Sequence, residues 1–227
     1  MRVLRGRAAD VTADRERTAR ILAEAGERRE PALRVWTPHR QLAFGRRDTN
    51  EAGYDRAVAI AREYGFPPID RSVGGRAVAY TGTTLAFAHA IPIDDLRRGM
   101  DARYERASER VRAGLRTVGV EAERGEPPES YCPGDHSLSA SGKLVGIAQR
   151  ITAEAALVSG VVIVDGHEEI AGVLSPVYEA LSVPFDRDSV GSVERAGGDA
   201  DPERVARAIE DAILDGRTPR IERIGPT

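Results

Sequence analysis

Apolar and polar positions change period several times along this chain, and the changes divide it into helices and strands. Residues 12–30, TADRERTARILAEAGERRE, carry apolar side chains at helical spacing behind a Thr or Asp cap, which predicts an opening helix. The short runs ALRVWTP and QLAFGRR alternate and are separated by Pro and His, which predicts two strands of a meander. A second helix is expected over 51–65, ended by Gly65. PPIDRSVGGRAVAYTGTTLAFAHAIP then reads as strand, glycine loop and strand, closed by Pro92. Residues 94–119 form a long amphipathic pattern ending at Gly119, whereas 121–142 are polar, turn-rich and too irregular for a core element. KLVGIAQRIT and AALVSGVVIVD predict paired strands, and HEEIAGVLSPVYEAL a short helix. A closing helix spans 199–214, with Asp201 as cap and Pro202 in its first turn. Helices interleaved with hairpin-like pairs predict an α/β (α+β) fold, a mixed, largely antiparallel sheet flanked by helices. No solenoid period or linker divides residues 1–227, so a single domain is expected.

Composition narrows the class. A chain of 227 residues that is 41% hydrophobic and 30% charged can bury a substantial core in water. Its longest apolar runs, such as SGVVIVDG, are far too short to cross a bilayer, so no membrane partner is expected. The charged N-terminus lacks the apolar centre of a secretory signal, and one cysteine excludes an intrachain disulfide framework. Both features predict a cytoplasmic protein. The net charge of −3 gives no push toward nucleic acid. The cations are almost all arginine: of 33 lysines and arginines, Lys143 is the single lysine. A compact ammonium on a slim stem fits where a planar guanidinium fork cannot. Drift in an arginine-biased genome would leave the same residue.

Two short stretches carry candidate chemistry. In RSVGGRAVAY, Gly74 and Gly75 let backbone N–H groups approach an anion, and Arg71 and Arg76 add charge-assisted hydrogen bonds. The stretch is neither a Walker loop nor a dinucleotide fingerprint, and a plain hairpin turn would also use two glycines. In SGKLVGIAQR, Lys143 follows a glycine at a strand start, where it can face charge developing in a reaction or simply point to solvent. His39, His89, His136 and His167 are scattered, with no second ligand at metal spacing. A packed and hydrogen-bonded His89 and a solvated loop for His136 are expected.

The two stretches in this order resemble the paired signature of the lipoate–protein ligase, octanoyltransferase and biotin ligase superfamily. In that family an Arg-x-x-Gly-Gly-(Gly/Arg)-Ala-Val loop precedes Gly-Lys-x-(Ile/Val)-x-Gly-x-(Ala/Ser)-Gln. LRVWTPHRQLAFGRRD and the late SVGSV extend the likeness from about residue 12 to 215, closest to the lipoate–protein ligase A branch. The resemblance implies a fold like the class II aminoacyl-tRNA synthetases and one catalytic domain over 1–227 with no C-terminal accessory domain. It implies a ligase that uses ATP and magnesium to turn lipoate into lipoyl-AMP. The lipoyl group would then pass to a lysine on a lipoyl carrier domain of a 2-oxoacid dehydrogenase complex or of the glycine cleavage H protein, with or without a separate accessory protein. Carried over residue by residue, Arg71, Gly74, Gly75, Arg76, Ala77, Val78 and Ala79 would hold the acyl chain and adenylate phosphate. Lys143 would meet the acyl carbonyl and phosphate, with Gly146 and Ala148 lining the pocket.

The chain departs from the pattern in four places. Arg76 stands for a third glycine, as in certain octanoyltransferases, and Ser137 replaces the aspartate six positions before the lysine. Two histidines are missing at LVSGV. The octanoyltransferases place a thioester-forming cysteine downstream of the Gly-Lys segment, but Cys132 lies upstream in the irregular stretch and 151–227 contain none. ATP-independent octanoyl or lipoyl transfer between carriers is therefore the second expectation, with Cys132 as its nucleophile only if it folds back into the pocket. Non-catalytic binding of a lipoyl domain or an acyl ligand is the third.

Overall fold

The computed structural model describes residues 1–71 and 75–225; Gly74, assigned above to the anion loop, lies outside them. Among the described residues the elements run β1 (Arg2–Arg5), α1 (Val11–Arg28), β2 (Ala32–Trp36), β3 (Gln41–Phe44), α2 (Tyr54–Glu63), β4 (Pro68–Asp70), β5 (Val78–Tyr80) and β6 (Leu85–Pro92). They continue with α3 (Met100–Thr117), β7 (Glu123–Arg124), β8 (Ser137–Ser139), β9 (Lys143–Ile151), β10 (Ala155–Val162), α4 (His167–Ala180), α5 (Pro202–Leu214) and β11 (Arg220–Arg223). One eight-stranded sheet has the order β11-β1-β2-β6-β10-β9-β8-β7, and a second of three strands has the order β4-β3-β5. The large sheet is antiparallel except where β1 pairs with β2 and β11. The mixed, largely antiparallel architecture agrees with the expectation from the sequence.

Strand alternation sorts the large sheet's two faces. On β6, Ala88 and Ala90 meet Ile21, Leu22 and Ala25 of α1, and their small side chains let the helix lie close. Leu85 and Phe87 face the opposite way, packing with Val111 and Leu115 of α3 and Val205, Ile209 and Ile213 of α5. The small sheet forms its own core with α2 and α4, which extends through Tyr131 and Val190 toward the edge of the large sheet. Asp201 caps α5 as predicted, accepting from the N–H groups of Glu203 and Arg204, with Pro202 in the first turn.

Two sequence expectations are corrected. ALRVWTP and QLAFGRR do form strands, but not a meander: β2 joins the large sheet beside β6, whereas β3 joins the small one between β4 and β5. The intervening Pro and His redirect the chain rather than reverse it. The stretch 121–142 contributes to the core despite its polarity, because Tyr131 and Leu138 are buried in separate clusters and β7 and β8 finish the sheet.

Candidate active site

Lys143 opens β9, and its position is fixed from the backbone outward. Gly142 and Gly191 bring two chain segments together: a Cβ on Gly142 (φ +113°) would lie 2.7 Å from the Gly191 nitrogen, and one on Gly191 2.4 Å from the Gly142 oxygen. The Gly191 N–H donates to the Lys143 carbonyl at 2.9 Å. The side chain runs past Gly146, whose missing Cβ would sit 3.8 Å from the lysine Cε. It is 1% exposed. Its Nζ donates to Glu126 Oε2 at 2.6 Å, to the Tyr131 carbonyl at 2.9 Å and to the Cys132 carbonyl at 2.8 Å. An ammonium carries three protons, and each has an acceptor.

Glu126 is the centre of this arrangement, although nothing in the sequence reading singled it out. Its Oε2 also accepts from Ser137 Oγ at 2.7 Å, and its Oε1 from the Gly134 N–H at 3.0 Å. Ser137, at the position of the family's aspartate, therefore reaches Lys143 through another residue's carboxylate.

Cys132 stands between Lys143 and the glycine loop. Its backbone is left-handed (φ 42°), and its N–H donates to Tyr178 Oη at 2.6 Å, which in turn donates to the Ala77 carbonyl at 3.0 Å. The Arg76 N–H points at Cys132 Sγ from 3.4 Å, and Arg71 Nη2 lies 3.8 Å from the same sulfur. Gly75 has φ +95°, and a Cβ there would sit 2.8 Å from Sγ. The carbonyl of Gly75 is packed on Gly45 so closely that a Cβ on Gly45 would come within 2.0 Å of it. Glycines at 45 and 75 thus let the loop reach the sulfur.

The loop arginines have different partners. Arg71 Nη2 donates to the Arg76 carbonyl at 2.5 Å. Burial works against the Arg71 charge, but Cys132, Tyr80 and Tyr178 outweigh it and raise the pKa. Arg76 Nη1 bonds Glu51 at 2.7 Å and the fully buried Asp48 at 3.2 Å. Asp48 also accepts from the Gly45 N–H, and burial raises its pKa against these bonds. Burial, more than the neighbouring sulfur, raises the pKa values of Tyr131 and Tyr178 and keeps both phenols neutral.

The structure brings Lys143, Arg71, Gly75 and Arg76 around Cys132, with Gly146 beside the lysine stem. Ala77, Val78 and Ala79 run on into β5 and are buried in the small-sheet core. Ala148 is exposed, two residues beyond Gly146 on β9. The histidines stay apart from the site. His39 Nε2 pairs with the Ala8 carbonyl, His167 lies near Ser192 and Glu194, and His136 stacks on Tyr104 with ring centroids 3.6 Å apart. His89 is packed as expected, but its buried Nε2 has no partner. Among the described residues no group of three or more His, Cys, Asp or Glu could hold a metal ion. The acids near the loop are already paired, Asp48 and Glu51 with Arg76 and Glu126 with Lys143. They do not fit a protein-held magnesium.

Comparison with known proteins places the chain in a family. Residues 15–214 match the model of the lipoyl protein ligase A/B catalytic domain. An octanoyl-GcvH:protein N-octanoyltransferase of Bacillus velezensis is 34% identical over 134 residues, covering 57% of this chain and 46% of its own. A lipoyl-GcvH:protein N-lipoyltransferase of Listeria monocytogenes is 29% identical over 154 residues, covering 65% and 54%. The chain spans about half the length of the curated relatives it matches. In fold it is similar to a lipoate-protein ligase A bound with ATP (TM-score 0.78, 20% identity, 99% of this chain and 89% of the other). It is also similar to a bi-partite lipoate protein ligase from Thermoplasma acidophilum (TM-score 0.70, 20% identity, 99% and 87%). The chain belongs to the lipoyl protein ligase A/B catalytic domain family.

Proposed function

We propose that this protein moves an octanoyl or lipoyl group from one lipoyl carrier protein to another, without ATP, through a thioester on Cys132. The observation that carries the reading is the setting of Cys132 Sγ, which receives the Arg76 N–H at 3.4 Å and lies 3.8 Å from Arg71 Nη2. An amide N–H and a guanidinium directed at sulfur stabilise negative charge on it, both when it attacks and when it leaves. A relative that is 34% identical over 134 residues is named for transfer from GcvH, the glycine cleavage H protein.

The sulfur attacks the acyl carbonyl of the donor carrier's modified lysine. The C–N bond breaks, the donor lysine takes a proton and leaves as an amine, and a C–S bond remains. The acceptor carrier's lysine then attacks this thioester; a new C–N bond forms and the thiol is restored. One amide is exchanged for another, so the two ends of the reaction are close in free energy and no activating nucleotide is required. Lys143 fixes the Tyr131 and Cys132 carbonyls, and so holds the nucleophile's backbone in its left-handed conformation.

The ATP-dependent ligase implied by the sequence pattern is the second reading, favoured by the fold shared with an ATP-bound ligase. It requires Arg76 and Lys143 to exchange their carboxylate partners for phosphate. A steady-state assay with octanoylated H protein as donor and an unmodified lipoyl domain as acceptor separates the two. Transfer without ATP that disappears in Cys132→Ser supports the transferase. Transfer only from free acid plus ATP and magnesium, with pyrophosphate release, overturns it.

A further inference from the structure

A thioester enzyme that delivers acyl groups to lysine ε-amines is itself exposed to that chemistry. Lys143 is the only lysine of the chain, and its Nζ lies 2.8 Å from the carbonyl oxygen of the cysteine that would carry the acyl group. An S-to-N shift there would break the Cys132 C–S bond, form an amide on Lys143, and pass one ammonium proton to sulfur and another to solvent. The enzyme would be permanently blocked, because an amide does not return its acyl group as a thioester does.

The structure assigns a guard to this amine. We propose that Glu126 is a positioning residue that keeps Lys143 as a pinned ammonium, so that the thioester goes to the carrier's lysine and not to the enzyme's own. This rests on the transferase reading above. A protonated amine has no lone pair for attack, and this one directs each proton at an oxygen: Glu126 Oε2 and two main-chain carbonyls. Of these acceptors only Glu126 carries a charge. Its carboxylate is in turn aimed by Ser137 Oγ and the Gly134 N–H. Glu126→Gln keeps the shape, but one of its two polar atoms becomes an NH2 group, so it cannot accept from both Gly134 and the lysine side. Without the anion, Nζ loses its one charged acceptor, and one of its three N–H groups is no longer held away from the thioester. Glu126→Asp keeps the charge on a shorter arm.

The test loads wild type, Glu126→Gln and Glu126→Asp with octanoylated H protein and reads intact mass before and after neutral hydroxylamine, which removes thioesters and spares amides. Arg-specific digestion locates any stable adduct. Wild type is expected to show a labile adduct on Cys132 only. Glu126→Gln should accumulate a hydroxylamine-stable octanoyl group on Lys143 at least tenfold faster, with Glu126→Asp restoring most of the protection. A merely structural role for Glu126 would not create a new amide at one named residue. A normal Cys132 thioester in Glu126→Gln without the stable adduct overturns the guard. Absence of any Cys132 adduct in the wild type overturns the transferase reading instead. A parallel arm treats the unloaded proteins with a water-soluble acetyl N-hydroxysuccinimide ester, which needs no thioester. Lys143 should be labelled at least tenfold more slowly in wild type than in Glu126→Gln, and equal rates overturn the pinning.

Discussion

The ammonium of Lys143 donates a hydrogen bond to the carbonyl oxygen of Cys132 at 2.8 Å, so the single lysine and the single cysteine of the chain meet at one peptide group. That contact links the two halves of the family signature. The Gly-Lys strand holds the cysteine's backbone, and the glycine loop holds its sulfur.

Lys143→Arg tests the need for a slim cation. The three acceptors surround a single Nζ, and a planar guanidinium fork spreads its N–H groups over several atoms instead of aiming them from one point. Overpacking is expected to cost about 1–3 kcal/mol. Acyl transfer should fall at least a hundredfold while far-UV circular dichroism stays unchanged. Turnover near wild type would mean that the lysine is replaceable.

Gly75→Ala should disable transfer more than it disturbs folding. The added methyl would sit 2.8 Å from Cys132 Sγ, closer than the two can pack, on a backbone with φ +95°. The sulfur must then move off the Arg76 N–H. The expected result is a loss of at least tenfold in the rate of Cys132 acylation, read by intact mass, with a Tm drop of only a few degrees.

Gly191→Ala and Gly172→Ala separate a glycine that is needed from one that is not. A Cβ on Gly191 would meet the Gly142 oxygen at 2.4 Å, main chain against main chain, so about 1–3 kcal/mol should be lost. Gly172, inside α4, meets nothing within 4 Å, and alanine there should gain up to about 1 kcal/mol. For a chain of this size each kcal/mol moves Tm by about 2–4 °C. Thermal unfolding should therefore shift in opposite directions for the two variants.

Stability should fall in mild acid through His89. Burial, followed by the charges of Arg217 and Arg106, lowers its pKa from 6.5 to about 4 in the folded chain. The folded state therefore prefers the neutral ring, while the unfolded state binds the proton first. This contribution is complete above pH 6.5 and is lost as pH falls toward 4, by about 2–3 kcal/mol. Urea midpoints measured across that range should decline less steeply for His89→Leu.

Regular elements were legible because their periods repeat. β9 and β10 are paired as their alternation predicts, and the Asp201-Pro202 start of α5 needs only neighbours in sequence. The separation of β2 from β3 was not legible, since it depends on which sheet has room for each strand. The stretch 121–142 hid more. Cys132 meets Arg71 and Gly75 through contacts distant in sequence, among them its N–H to Tyr178 and its carbonyl to Lys143. Glu126 looks like any solvated acid until the fold places Lys143 against it. A cysteine and a lysine, each unique in the chain and eleven positions apart, were the one sequence signal available for that meeting.

The most direct measurement is the mass of the purified protein after brief incubation with octanoylated H protein in the absence of ATP. One octanoyl group that hydroxylamine removes, and that Cys132→Ser lacks, is the predicted result. An unmodified protein that forms acyl-adenylate when given free octanoate, ATP and magnesium would contradict it.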